Sequence, residues 1–186
     1  MRLILASASP RRRELLSRIT SEFIVVPSLG AEPTSGDPRE RVLKGACAKA
    51  HEVSIHHQGV IIAADTLVVV DEAVLGKPES RDDARRMLET LSGREHSVLT
   101  GLCVLSTQSG EERSAVEETL VRLRTLESTE IEAYLESGEP DDKAGSYAIQ
   151  GRAALFVERI CGDYFNVMGL PLYRLGLLLR EVGVRV

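Results

Sequence analysis

The chain has 186 residues, 43% of them hydrophobic and 27% charged, with a formal net charge of −5. That length builds one good core and is too short for two large domains, so residues 1–186 read as a single domain. The acidic balance argues against a general nucleic-acid binder, and no apolar run approaches the ~20 residues of a membrane span.

Leu3 to Ala6 is a short apolar strand that runs directly into a helix start at Ser9-Pro10, a serine N-cap with proline in the first helical position. Leu15, Leu16 and Ile19 supply the buried stripe of that helix. Phe23 to Val26 reads as a second strand, and SLGAEPTSGDPRE as an exposed loop. From about Arg39 to His51 the pattern is helical, with Val42, Ala46 and Ala50 on one face. Val60 to Ala64 is a continuous apolar run, as in a strand buried on both faces. Leu67 to Val70 is a β-branched segment that ends in a turn at Asp71-Glu72.

SRDDARRMLETLSG is a helix, with Ser80 and Asp83 as a capping box and Gly93 at its stop. His96 to Ser106 and Ala115 to Leu123 are strands around the turn TQSGEE. STEIEAYLESG is a further helix, capped by Thr129 and Glu132 and stopped at Gly138. The polar loop EPDDKAGSYAIQG leads into a strand over AALFVERI, and PLYRLGLLLREV closes the chain as a largely buried helix. Strands and helices alternate without repeats, so the class is α/β.

Four segments carry chemistry. Arg11, Arg12 and Arg13 follow Pro10 in the first helical turn, where the helix dipole disfavours cations by ~0.3–1 kcal/mol each. Backbone N–H groups and guanidinium forks at that end form an anion site, and the alternative is a solvated basic patch offset by Glu14. Asp65-Thr66 closes the apolar strand, placing a carboxylate where α/β sheets hold ligands. Asp65 then serves as a base or holds a hard cation, or else simply closes a turn. Gly76-Lys77-Pro78 pins an ammonium between two residues of restricted backbone, where it meets a phosphate or else simply belongs to a turn, although no GxxxxGK[ST] phosphate loop is present. In KAGSYAIQG, Gln150 offers both a donor and an acceptor, which suits the edge of a neutral base, and the alternative is a flexible surface loop.

Cys47, Cys103 and Cys161 are odd in number and lack CxxC spacing, so they read as thiols of a reducing compartment and place the chain in the cytoplasm. Cys47 and His51 lie four apart on a helix, but two ligands do not make a metal site. No nucleophile elbow or Ser-His-Asp order supports acyl transfer.

Taken in order, LILASASPRRRELL, AADTLVVVDEAVLGKP, GREHSVLTG, DDKAGSYAIQG and GDYFNVMGLPLYRL closely resemble the Maf family of nucleoside triphosphate pyrophosphatases over nearly the whole chain. The resemblance implies an ITPase-like mixed sheet with flanking helices, two lobes around a deep cleft, and a homodimer. It implies hydrolysis of a nucleoside triphosphate to the monophosphate and pyrophosphate, assisted by Mg²⁺ or Mn²⁺. By motif, Asp65 is the implied proton acceptor and Arg11, Thr66 and Gln150 are implied to set substrate choice. Arg12, Lys49 and Lys77 are the implied phosphate binders, with Ser7 and Glu32 in or near the same site and Asp65 and Glu32 toward the metal. The loop GAEPTSGDP around Glu32 is less acidic than the family version. Glutamine at position 150 matches the branch that prefers dTTP and UTP, since the branch that prefers 7-methyl-GTP carries an acidic residue there. A nucleotide-sensing regulator of septum formation is a rival reading, and pyrophosphate turnover separates the two.

Overall fold

The computed structural model describes residues 2–28, 30 and 33–186. A seven-stranded mixed sheet runs in the order β2-β1-β3-β5-β6-β7, with β4 beside β3. Its strands are β1 (Leu3–Leu5), β2 (Phe23–Val25), β3 (Val60–Val70), β4 (Ala73–Leu75), β5 (Glu95–Ser106), β6 (Glu112–Leu123) and β7 (Val157–Cys161). The helices are α1 (Pro10–Ser17), α2 (Pro38–Ser54), α3 (Arg81–Leu91), α4 (Ser128–Leu135), α5 (Tyr164–Val167) and α6 (Leu172–Glu181). β1 pairs in parallel with both β2 and β3, in register Leu3 to Phe23 and Leu3 to Val60. The α/β class expected from the alternating pattern is the class observed.

Several elements differ from the sequence reading. β3 is one continuous strand where a break at Asp65-Thr66 was expected. Its far end folds back as a hairpin with β4, through Asp71 at a φ of 52°. α4 begins at Ser128, so Thr129 and Glu132 lie inside the helix and cannot cap it. The Glu130 carboxylate takes that task, accepting the Glu127 N–H at 3.0 Å while the Arg124 fork holds it at 2.8 and 2.6 Å. Residues 152–155 form a 3₁₀ turn, which delays β7 to Val157.

The chain divides into two compact units. The first comprises Met1–Thr66, Thr100–Glu117 and Gly169–Val186. Ile4, Ala6, Ala46, Ala50, Val53, Ile61, Ala63 and Cys103 form its core, where each buried Ile or Val contributes ~1.5–3 kcal/mol. α2 contributes Ala46, Ala50 and Val53 at this contact, and at Gly101 its backbone comes directly against that of the sheet. A Cβ added at Gly101 of β5 would overlap the Val42 carbonyl and stand 2.7 Å from Leu43 N. Gly101 is therefore fixed by the seat of α2, since any side chain would lift the helix.

The second unit comprises Leu67–Leu99 and Glu118–Met168. Tyr134 packs edge-on to Phe156, with ring centres 5.1 Å apart. His96, 2% exposed, bonds through Nε2 to the Tyr147 hydroxyl at 2.8 Å, and its Nδ1 has no partner among the described residues. Burial lowers its pKa to about 4 from the ordinary 6.5. Between those values the unfolded chain binds a proton that the folded chain refuses. Stability supplied above pH 6.5 is therefore lost as the pH falls toward 4, by about 1.4 kcal/mol per unit, or about 3 kcal/mol in all. Urea unfolding at pH 7 and pH 4.5 should show a smaller loss for His96→Gln than for the wild-type chain. Equal losses would show that His96 does not carry this dependence.

Candidate active site

The turn from β1 into α1 satisfies its own backbone. Ser7 N donates to Leu5 O at 3.0 Å, Ser9 N to Ser7 Oγ at 3.2 Å, and Arg12 N to Ser9 Oγ at 3.4 Å. Ser9 is the N-cap and Pro10 the first helical residue, as the sequence indicated. Arg13 is exposed, while Arg11 and Arg12 are half-buried. The Arg12 side chain is held at three nitrogens: Nε donates to Gly169 O at 2.8 Å, Nη2 to Thr66 Oγ1 at 3.1 Å and Nη1 to Ser7 Oγ at 3.4 Å. Thr66 Oγ1 also meets Thr100 Oγ1 of β5 at 2.9 Å.

Asp65 lies in mid-strand and not at the end of β3. The β1–β3 ladder stops at Ile62, so Asp65 stands just beyond the carboxyl end of β1, and the ligand position of open sheets is kept by the shorter neighbour. Successive side chains of a strand alternate, which sends Asp65 toward α2 and Thr66 toward Arg12 and Thr100. Lys49 Nζ of α2 donates to Asp65 Oδ1 at 2.8 Å, with the two residues 8% and 6% exposed. Two buried charges of opposite sign meet here, and removing either one takes a close counter-charge from the other at a cost in stability. Gly45, one turn before Lys49, faces the same carboxylate: a Cβ there would overlap Oδ2 and stand 3.0 Å from Cγ.

In the second unit, Lys77 is exposed in the turn between β4 and α3. Gly145 N donates to Gly76 O at 3.0 Å, which ties that turn to the KAGSYAIQG segment. The Tyr134 hydroxyl accepts from Ala148 N at 3.1 Å and donates to Glu139 Oε1 at 2.8 Å, while Arg152 N donates to Glu139 Oε2 at 3.0 Å. The backbone is thus anchored on both sides of Gln150, whose side chain is exposed.

The structure therefore joins Ser7, Arg12 and Thr66 in one hydrogen-bonded cluster, and Lys49 with Asp65 in one ion pair. Arg11 shares the first turn of α1 with Arg12. Glu32 lies outside the described residues. Three contributors escaped the sequence reading: Gly45, Thr100 and Gly169. Gly45 carried a signal, because glycine inside a helix costs about 1 kcal/mol against alanine and marks a close approach. Thr100 and the Gly169 carbonyl carried none, since only folding brings them to residues 66 and 12.

Fold and side chains define the class: an α/β protein with a mixed sheet, an arginine–hydroxyl cluster at a helix start, and a buried carboxylate–ammonium pair. The Maf-like protein family model matches residues 2–182, and the chain belongs to that family. It is 50% identical over 184 residues to a dTTP/UTP pyrophosphatase of Thermococcus gammatolerans, covering 99% of this chain and 98% of that protein. A dTTP/UTP pyrophosphatase of Methanosarcina barkeri is 47% identical over 188 residues, covering 99% and 95%. One of Carboxydothermus hydrogenoformans is 50% identical over 185 residues, covering 98% and 100%. Among solved structures, a HAM1 protein from Coxiella burnetii is 16% identical with a TM-score of 0.53, covering 97% of this chain and 99% of that one, a likeness of fold alone.

Proposed function

We propose that this protein hydrolyses dTTP and UTP to the monophosphate and pyrophosphate. The observation that carries the reading is the buried Asp65–Lys49 pair standing past the end of β1, together with the Arg12 cluster of the same unit. The relatives of similar length that bear the name dTTP/UTP pyrophosphatase support it.

Water attacks the α-phosphorus, its proton passes to the Asp65 carboxylate, and the bond from the α-phosphorus to the bridging oxygen breaks to release pyrophosphate. Lys49 fixes the Asp65 carboxylate through Oδ1, so the base is oriented before substrate arrives. Arg12 presents a guanidinium whose plane is set by Ser7, Thr66 and Gly169, and such a preset fork stabilises charge developing on phosphate oxygens. Arg11 and the backbone of the first α1 turn serve the same anion, Lys77 binds phosphate, and Gln150 reads the base. With an anion in place, the arginines at the helix start no longer oppose the dipole but share its ligand.

The oxygen donors suit a hard divalent cation, because Mg²⁺ usually takes only one or two carboxylates from the protein and the rest from phosphates and water. Asp65 would hold it, with Glu32 as the second carboxylate, and the bound ion would neutralise triphosphate charge and polarise the α-phosphorus. We place the reaction in a cytoplasmic homodimer, in keeping with three cysteines that form no disulfide and with the family resemblance.

The test is pyrophosphate release across a nucleotide panel with Mg²⁺, for wild type and Gln150→Glu. Wild type should favour dTTP and UTP. In the variant, kcat/KM for both should fall about 10–100-fold through a lost hydrogen bond and an unpaired carboxylate. The melting midpoint should barely move, because Gln150 is exposed. An equal fall for every nucleotide would remove base reading from Gln150, and absence of pyrophosphate among the products would overturn the reaction.

A further inference from the structure

α2 turns Gly45 and Lys49 toward Asp65. Cys47 and His51 project about 200° round the helix from Lys49 and Gly45, on another side. Their spacing supplies two metal ligands, and the fold adds two more, Cys103 from β5 and Glu112 from β6. The sulfurs of Cys47 and Cys103 and a carboxylate oxygen of Glu112 lie within 4.8 Å of one another. His51 Nε2 contacts Glu112 Oε2 at the outer edge of this group.

We infer that Cys47, Cys103, Glu112 and His51 form a site for a thiophilic divalent cation of the Zn²⁺ kind, separate from the nucleotide machinery. Four-coordinate zinc, with bonds of about 2.0–2.3 Å, spaces its ligand atoms by about 3.3–3.8 Å. For the two sulfurs and the Glu112 oxygen, closing 4.8 Å to that spacing takes side-chain movements of about 1 Å, while the His51 ring, in contact with Glu112, turns in from outside that trio. Two thiolates and an imidazole select zinc over Mg²⁺, which prefers an octahedron of oxygens. Binding releases one proton from each thiol to solvent, and the carboxylate and neutral imidazole complete the tetrahedron. Cys103 is buried, Cys47 half-buried and the His51 side chain 58% exposed, so the ligands descend from the surface and the ion enters on the His51 side. Once bound, the ion ties α2 to β5 and β6.

The test uses the full chain, reduced and stripped with a chelator. Zn²⁺ is titrated against a chromophoric chelator, and Co²⁺ is added in parallel to read the thiolate-to-cobalt charge-transfer band. One Zn²⁺ per chain is expected, with a Kd of about 1 µM or tighter. Cys47→Ser should abolish the cobalt band and weaken Zn²⁺ at least 100-fold, and His51→Gln should weaken it about tenfold. Asp65→Asn should keep the full stoichiometry, which separates this site from the proposed nucleotide site. The inference is overturned if wild type shows no thiolate–cobalt band, or if Cys47→Ser binds Zn²⁺ as tightly as wild type. Loss of zinc from Asp65→Asn would equally overturn it, by moving the ion elsewhere. A chain that forms a Cys47–Cys103 disulfide in air and takes up no zinc after re-reduction overturns it as well.

Discussion

Asp65→Asn should lower pyrophosphate release about 10³-fold, within the range lost when a general base is removed. That factor corresponds to about 4 kcal/mol of barrier. The substitution should not leave the fold untouched. Lys49 is 8% exposed and donates to Asp65 Oδ1, so the asparagine keeps an acceptor but removes the buried negative charge that faces the ammonium at 2.8 Å. Breaking a buried pair in this way costs about 3 kcal/mol, or roughly 6–12 °C in melting midpoint for a chain of this size. The double variant Asp65→Asn/Lys49→Met removes both charges. It should recover much of the stability and none of the activity. Turnover of Asp65→Asn within a few-fold of wild type would take the proton-acceptor role away from Asp65.

Gly45→Ala should damage catalysis while doing little to the fold. On helix propensity alone the change would stabilise α2 by about 1 kcal/mol. The added Cβ, however, would overlap Asp65 Oδ2 and stand 3.0 Å from Cγ, and such overpacking costs about 1–3 kcal/mol. The carboxylate must rotate or shift. A displacement near 1 Å at a reacting group costs about 10²-fold in rate, so kcat/KM should fall by that factor with a midpoint only a few degrees lower. Gly176→Ala in α6 is the control, because a Cβ there meets nothing within 4 Å. It should raise the midpoint slightly and leave turnover unchanged. Equal activity in both alanine variants would show that Gly45 is not what makes room for the Asp65 carboxylate.

Local chemistry made the elements with strong caps legible. Ser9-Pro10 opens α1, and Ser80, whose Oγ accepts the Asp83 N–H at 3.1 Å, opens α3. Asp83 itself reaches the Glu79 N–H at 3.1 Å, one residue short of the expected reciprocal bond. The unbroken β3 was hidden because Asp65-Thr66 resembles a turn, and only pairing beyond it shows that the strand continues. The cap of α4 was hidden because Arg124, outside the helix, selects Glu130. Within the site, residues such as Arg12 and Asp65 stand out by type and context. Their partners do not, since Thr100, Gly169 and Cys103 have unremarkable neighbours in sequence and gain meaning only through contacts across the chain.

The guanidinium of Arg12 is already ordered by three acceptors, Ser7 in the adjoining turn and Thr66 and Gly169 from distant parts of the chain. A free arginine loses up to about 2 kcal/mol of rotamer entropy when an incoming anion immobilises it. Here that loss is borne during folding, so the encounter with substrate begins from a rigid receptor. Loosening Thr66 or Ser7 would accordingly weaken anion capture even though neither hydroxyl carries any charge.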